Sequence, residues 1–316
     1  MHSDSDHALV AESVEHHYGQ HKALDGLELS VPRGQIFAIL GPNGSGKSTL
    51  FKLVATLLRL QKGRVDVCGR SVLNQAAEVR SLLGIVFQSP SLDPKLTTEE
   101  NIRCQGILYG LSRSELAVRV SEVASQLGIT DRLATRTEEL SGGLKRRVEL
   151  AKSILHRPPV LLMDEPSTGL DPAARLDLWH ALQELQQGFG ATVILTTHLL
   201  EEAEKADQIA IIDSGQAVAY GKPSDLRASL GGQVLTINTS NNSEVCKWLE
   251  QKRVEFQTVE GSLRVMASDA ASLVPLIASE FGDVIHSVTL GQPSLEDVFV
   301  AKTGHTFWLS EGAGNE

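Results

Sequence analysis

Residues 36–49, IFAILGPNGSGKST, restrict this chain to a narrow set of folds. The apolar run Ile36, Phe37, Ala38, Ile39 and Leu40 is too short for a helix. Beyond it, Lys47, Ser48 and Thr49 open a segment whose apolar residues Leu50, Phe51, Leu53, Val54, Leu57 and Leu58 recur with helical spacing. A strand therefore runs into a Gly-rich loop and then into a helix. Gly41, Gly44 and Gly46 let the backbone curl so that successive N–H groups face an anion, with the positive end of the helix dipole behind them. Lys47 then reaches the outer phosphates of a nucleoside triphosphate, and the Ser48 hydroxyl is placed to ligate Mg²⁺. The whole segment Gly41, Pro42, Asn43, Gly44, Ser45, Gly46, Lys47, Ser48 and Thr49 is expected to bind the nucleotide.

The 316 residues leave room for two domains, and an apolar content dominated by Leu, Ile, Val and Ala with only 4 % aromatics suits layered α/β packing. A formal net charge of −10 argues against a nucleic-acid surface. No run approaches the roughly 18 apolar residues that span a bilayer, and the polar start MHSDSDH does not read as a signal peptide, so a soluble cytoplasmic protein is expected. Cys68, Cys104 and Cys246 are far apart and form no CxxC, which predicts reduced packing residues. His2, His7, His16, His17 and His21 crowd the start, but no cysteine accompanies them and their spacing fits no closed metal site.

From Ala8 to Val31 short apolar pieces predict an antiparallel β region with turns at Tyr18-Gly19 and Asp25-Gly26. Tyr18 is either an exposed ring able to stack on a purine or an ordinary half-buried strand residue. The strand Gly84 to Phe87 ends at Gln88. Thr97 with Glu100 and Ser112 with Glu115 read as capping boxes, so residues 91 to about 139 form a helical insertion. Ser141 caps the next helix, and the Ser141-Gly142-Gly143 start is either a capped helix alone or a second anion site. The strand Val160 to Met163 ends at Asp164-Glu165, and the strand Thr192 to Leu195 leads to His198.

In an open parallel sheet ligands bind at the carboxyl edge, so these strand ends converge on one nucleotide. Phosphoryl transfer to water needs a carboxylate for the metal and a base for the water. Asp164 suits the Mg²⁺, Glu165 the water, Gln88 the γ-phosphate or the Mg²⁺ shell, and His198 the γ-phosphate. One phosphate cradle is already complete, so the Ser141 site either takes a different anion or completes the site of another copy of the chain.

In GPNGSGKST at 41–49, Gln88, LSGG at 140–143, LLMDEP at 161–166, STGLD at 167–171 and His198, the chain resembles the ATP-binding cassette (ABC) ATPases over about residues 8–222. The resemblance implies a P-loop NTPase core at 8–230 with an antiparallel β subdomain and a helical subdomain at about 91–139. It further implies that ATP is the nucleotide and that Tyr18 stacks on adenine. Ser141 and Gly143 would bind the γ-phosphate of ATP held by a second copy, and Asp171 would lie at the seam of that homodimer. Leu144 departs from the Gln that many members carry after LSGG, although the exporter branch often has an apolar residue there, followed by basic residues such as Lys145, Arg146 and Arg147.

Past Gly221-Lys222-Pro223 the order β-α-β-β-α-β predicts a small α+β, ferredoxin-like domain over 231–304, then a tail at 305–316. A helix starting at Ser294, with Asp297 three residues on, carries SLEDVF. That ending resembles the C-terminal module of drug, lipid and polysaccharide exporter ATPases. The implied protein is an ATPase subunit of a membrane exporter, at the cytoplasmic face, beneath a separately encoded permease and without nucleic acid. The rival is a soluble cassette ATPase acting on the ribosome or DNA; a single cassette, no long coiled-coil insertion and the acidic balance stand against it.

Overall fold

The computed structural model describes residues 6–259, 261–267 and 269–307. It divides into two compact units, Met1–Tyr220 and Gly221–Glu316.

The first unit opens with the antiparallel hairpin β1 (His7–Tyr18) and β2 (His21–Pro32). It continues through β3 (Ile36–Leu40), α1 (Lys47–Val54), β4 (Lys62–Val67), β5 (Arg70–Ser71), α2 (Ala76–Leu82) and β6 (Leu83–Val86). The hairpin reverses after Tyr18, as expected. Asp25-Gly26, however, lies inside β2, where Gly26 at φ 66° carries a register shift against β1 instead of a chain reversal. Phe87 also departs from expectation: it stands beyond β6, partly exposed, edge-on to Phe51. The first antiparallel sheet has the order β2-β1-β4-β5.

Next come α3 (Thr98–Leu108), α4 (Arg113–Gln126) and α5 (Gly142–Ile154), then β7 (Val160–Asp164), α6 (Pro172–Phe189), β8 (Thr192–Thr197), α7 (Leu200–Ala203), β9 (Gln208–Asp213) and β10 (Gln216–Gly221). The second sheet has the order β10-β9-β3-β8-β7-β6, with β9, β3, β8, β7 and β6 mutually parallel. Its register aligns Leu40 with Thr197, Asp164 with Thr196 and Val86 with Met163, so the phosphate loop, Gln88, Glu165 and His198 all leave from one edge. Leu50, Phe51, Leu53 and Val54 of α1 join Leu27 of β2, Phe37 of β3 and Val65 of β4 in one buried core. Each such side chain contributes about 1.5–3 kcal/mol, which ties the phosphate loop to both sheets.

Both capping boxes form. Thr97 Oγ1 accepts from Glu100 N and Glu100 returns the bond to Thr97 N at 2.8 Å, while Ser112 and Glu115 repeat the pattern for α4. α4 buries Leu116, Val120, Val123 and Ala124 and stops before Gly128 at φ 61°. Cys104 corrects an expectation: it is exposed on α3, because its helical position faces away from the buried Asn101, Ile102 and Gly106.

Beneath these helices the His156 ring stacks on Tyr109 with centroids 3.7 Å apart. Its Nε2–H donates to the Leu83 carbonyl at 3.1 Å, which leaves Nδ1 bare and buried. Burial lowers its pKa from 6.5 to about 4. A lowered imidazole pKa means that the unfolded chain takes up the proton first. Stability should therefore fall as pH drops from about 6.5 toward 4, by roughly 3 kcal/mol at most from this group. Urea unfolding at pH 7 and pH 5 checks this: His156→Gln should lose less stability on acidification than the native chain, and equal losses would remove His156 as the cause.

The second unit comprises α8 (Pro223–Ser229), β11 (Gln233–Thr239), α9 (Asn242–Gln251), β12 (Phe256–Val259), β13 (Ser262–Ala267), α10 (Leu273–Phe281), β14 (Ile285–Gly291) and α11 (Leu295–Thr303). Its antiparallel sheet has the order β12-β13-β11-β14, the ferredoxin-like arrangement. Leu235, Ile237, Leu263 and Val265 meet Val245, Leu249, Ile277 and Phe281 of the helices. A 3-10 turn, Ala270–Ser272, leads into α10. Ser294 and Asp297 form a capping box on α11, and Glu296 and Asp297 both accept from Arg264. His2 and, in the tail, residues 308–316 lie outside the described residues.

Candidate functional site

The phosphate loop is closed by its own lysine. Lys47 is buried, and its Nζ donates to the carbonyls of Gly41 at 2.7 Å and Pro42 at 2.9 Å. Burial lowers its pKa, while the charges of Glu165 and Asp164 pull it back up. Gly46 sits at φ 108°, where a Cβ would come within 2.6 Å of the Ala23 carbonyl, so only glycine lets β2 pack against the loop. A Cβ at Gly41 would come within 2.6 Å of Ser45 Oγ. α1 starts with neither a side-chain cap nor an acid in its first turn, leaving its first N–H groups for an outside acceptor. Ser45 Oγ is buried with no partner among the described residues, and Asn43, Gly44 and Ser48 are exposed along the same loop. An orphaned hydroxyl, free helix amides and a buried ammonium fit an oxyanion ligand such as the phosphates of ATP.

Opposite the loop, Glu165 gathers the other strand ends. Its Oε2 accepts from Gln88 Nε2 at 3.2 Å and from Thr168 Oγ1 at 3.2 Å. His198 Nδ1 stands 3.2 Å from the same oxygen without hydrogen-bond alignment, and Lys47 Nζ stands 3.9 Å from Oε1. Glu165 has φ 42°, a left-handed backbone that non-glycine residues rarely adopt. Thr196 holds it there: its carbonyl and Oγ1 both accept from Glu165 N, at 3.2 and 3.0 Å. The Thr196 hydroxyl in turn donates to Asp164 Oδ1 at 2.5 Å.

Burial pushes the Asp164 carboxyl up, the Thr196 bond opposes that, and the adjacent Glu165 charge adds to it. A buried carboxylate beside a like charge gains most from a cation, so Asp164, with Ser48 and Gln88, fits a Mg²⁺ donor set on its chemistry. Beyond His198, Thr197 Oγ1 donates to the buried Glu202 at 2.6 Å and accepts from Leu199 N at 3.0 Å, which shapes the turn that presents the imidazole.

The structure thus brings together Lys47, Gln88, Asp164, Glu165 and His198. It gathers Ser141, Gly143 and Asp171 in a different concavity, lined also by Leu144, Leu170 and Ala174. There Ser141 caps α5 through Leu144 N, Asp171 caps α6 through Ala174 N at 2.9 Å, and a Cβ on Gly143 would lie 3.0 Å from that of Ala174. Gly142 opens α5 beside them. Tyr18, the last residue of β1, is 45 % exposed and edge-on to the His16 ring, an exposure that leaves its face free to stack. Reading the sequence missed Thr168, Thr196 and Glu202. A threonine pair just before His198 was the available signal.

The model of the ABC transporter family matches residues 24–168. The chain is 35 % identical to a daunorubicin resistance ATP-binding protein of Streptomyces coeruleorubidus, over 98 % of this chain and 100 % of that one. It is 38 % identical to a Nod factor export ATP-binding protein of Cupriavidus metallidurans, over 94 % of this chain and 97 % of that one. Among solved structures it is similar to the cbiO1 component of a cbiONQ transporter complex from Clostridium perfringens, with TM-score 0.66 and 28 % identity over 78 % of this chain and 96 % of that one.

Proposed function

The chain belongs to the ABC transporter family, and on that premise we propose that it is the ATP-hydrolysing subunit of a membrane exporter. The observation that carries the reading is the convergence of Lys47, Gln88 and His198, from three other strand ends, on the Glu165 carboxylate facing a phosphate loop. The relatives named for drug resistance and for Nod factor export support the outward direction.

In the proposed cycle the Gly41–Thr49 loop and Lys47 grip the phosphates of ATP, and Tyr18 stacks on its base. Mg²⁺, when bound, neutralises charge on the phosphate oxygens, and Ser48, Asp164 and Gln88 are the residues that would hold it. Glu165 Oε2 orients the attacking water and draws off its proton. His198 donates to the γ-phosphate, and Gln88, already bonded to Glu165, reports that the γ-phosphate is present.

Ser141 and Gly143 supply the remaining contacts to ATP held by a second copy, with Asp171 at the seam. The grouping of these three residues in one concavity supports a homodimer that closes on ATP and reopens after hydrolysis. Among the described residues no helix is long and apolar enough to cross a membrane. The relatives' names as ATP-binding proteins of resistance and export support a separately encoded permease, on which the subunit would sit at the cytoplasmic face.

The test is an affinity pull-down of the Glu165→Gln variant from detergent-solubilised membranes of its host with Mg-ATP. A multi-helix membrane protein in stoichiometric yield is expected; ribosomal or DNA-bound proteins with no membrane partner would overturn the exporter reading. In the same preparation light scattering should give a doubled mass with ATP, and Ser141→Arg should abolish the doubling.

A further inference from the structure

Arg146, Glu149 and Lys152 recur every third residue along α5 and bond to the loops beside it. Arg146 and Glu149 are only 5 % and 4 % exposed. Arg146 Nε donates to the Pro166 carbonyl at 2.6 Å, and Nη1 donates to the Phe87 carbonyl at 2.7 Å and to Glu149 Oε2 at 2.9 Å. Its Nη2 reaches the Glu165 carbonyl at 3.5 Å. The other oxygen of Glu149 accepts from Ser91 N at 2.5 Å, and Lys152 Nζ donates to the Ser91 carbonyl at 2.8 Å.

One ion pair therefore holds the Gln88 loop at both ends, at Phe87 and at Ser91, and holds the Glu165-Pro166 turn as well. These are the two segments whose side chains meet in the Gln88–Glu165 hydrogen bond at 3.2 Å. A buried guanidinium is costly to leave without acceptors, so the carbonyls facing it are pinned. Its planar fork bonds several acceptors in fixed directions, which an ammonium at the same place cannot do.

We propose that Arg146, clamped by Glu149, is a positioning residue for ATP hydrolysis. It fixes the spacing between Gln88 and Glu165 and makes that spacing depend on where α5 sits. α5 is also the helix that Ser141 caps, so a contact made at Ser141 by a neighbouring copy is passed through Arg146 to the glutamate of this chain's own site. The inference rests on the reading of Glu165 as the residue that orients the attacking water.

Arg146→Lys tests it on the full chain, beside the native protein and Glu165→Gln. Turnover per nucleotide-binding site should fall about 10–100-fold, as for a misplaced catalytic group. The Kd for trinitrophenyl-ATP should stay within roughly threefold. In nucleotide-free protein, hydrogen exchange should rise roughly threefold or more in residues 87–91 and 165–168, and stay unchanged in the second unit.

A residue that only stabilises the fold would lower the melting temperature and raise exchange throughout the first unit, with turnover per site intact; that result overturns the proposal. If Glu165→Gln turns over like the native chain, the reading of Glu165 fails, while the exchange in the two segments still judges the clamp. Should Arg146→Lys not accumulate as folded protein, Glu149→Gln removes the clamping charge at nearly constant shape, and the same three measurements apply to it.

Discussion

Glu165→Gln is expected to lower phosphate release under saturating Mg-ATP by about 10²–10⁴-fold, the range that a positioned general base supplies. The substitution is nearly isosteric. The Gln amide oxygen can still accept from Gln88 and Thr168, which bond Glu165 Oε2 at 3.2 Å each, so the pocket keeps its shape. What is lost is the capacity to take a proton from water. Lys47 Nζ, 3.9 Å from the carboxylate, also loses a counter-charge without losing its bonds to the Gly41 and Pro42 carbonyls. ATP affinity, measured by equilibrium binding, should therefore stay within roughly threefold of the native value. Native turnover in this variant would sink the assignment of Glu165 as the residue that takes the proton from water.

Lys47→Ala should act on the other quantity. A buried charged contact to a bound anion is worth about 2–5 kcal/mol, or roughly 30-fold to several thousand-fold in Kd for ATP. Two effects add to this. The Gly41 and Pro42 carbonyls lose the donor that now closes the loop, so the cradle starts from a looser state. Glu165 and Asp164 also lose a cation between two acids, which raises the cost of bringing in phosphates. Calorimetric titration with Mg-ATP checks this, and a Kd unchanged within experimental error would show that Lys47 serves the loop alone.

The parts of this molecule that were legible beforehand are those written in local chemistry. The phosphate loop announces itself because glycines, lysine and serine must follow one another at fixed spacing. The cap residues Thr97, Ser112, Ser141 and Ser294 were legible because a cap and its partner lie three residues apart. The parallel strands were short apolar runs, and their polar successors pointed to one edge.

Other features depend on the third dimension. The Asp25-Gly26 pair has turn composition, but the neighbouring strand decides whether such a pair reverses the chain or bulges it. Cys104 sits on a helix whose buried side is chosen by its neighbours. Thr196 and Arg146 gain their roles from residues 32 and 20 positions away, Asp164 and Pro166, and no local pattern reports such a pairing.

Glu165 is fixed in a backbone conformation that costs a non-glycine residue about 1–3 kcal/mol. The fold bears that cost at the residue proposed to orient the attacking water. Glycine at 165 would relieve the backbone but take the acceptor from Gln88 and Thr168 and the nearby charge from the buried Lys47. The strain at this turn is thus set against the proposed role in hydrolysis, and a substitution chosen for backbone ease alone would forfeit that role.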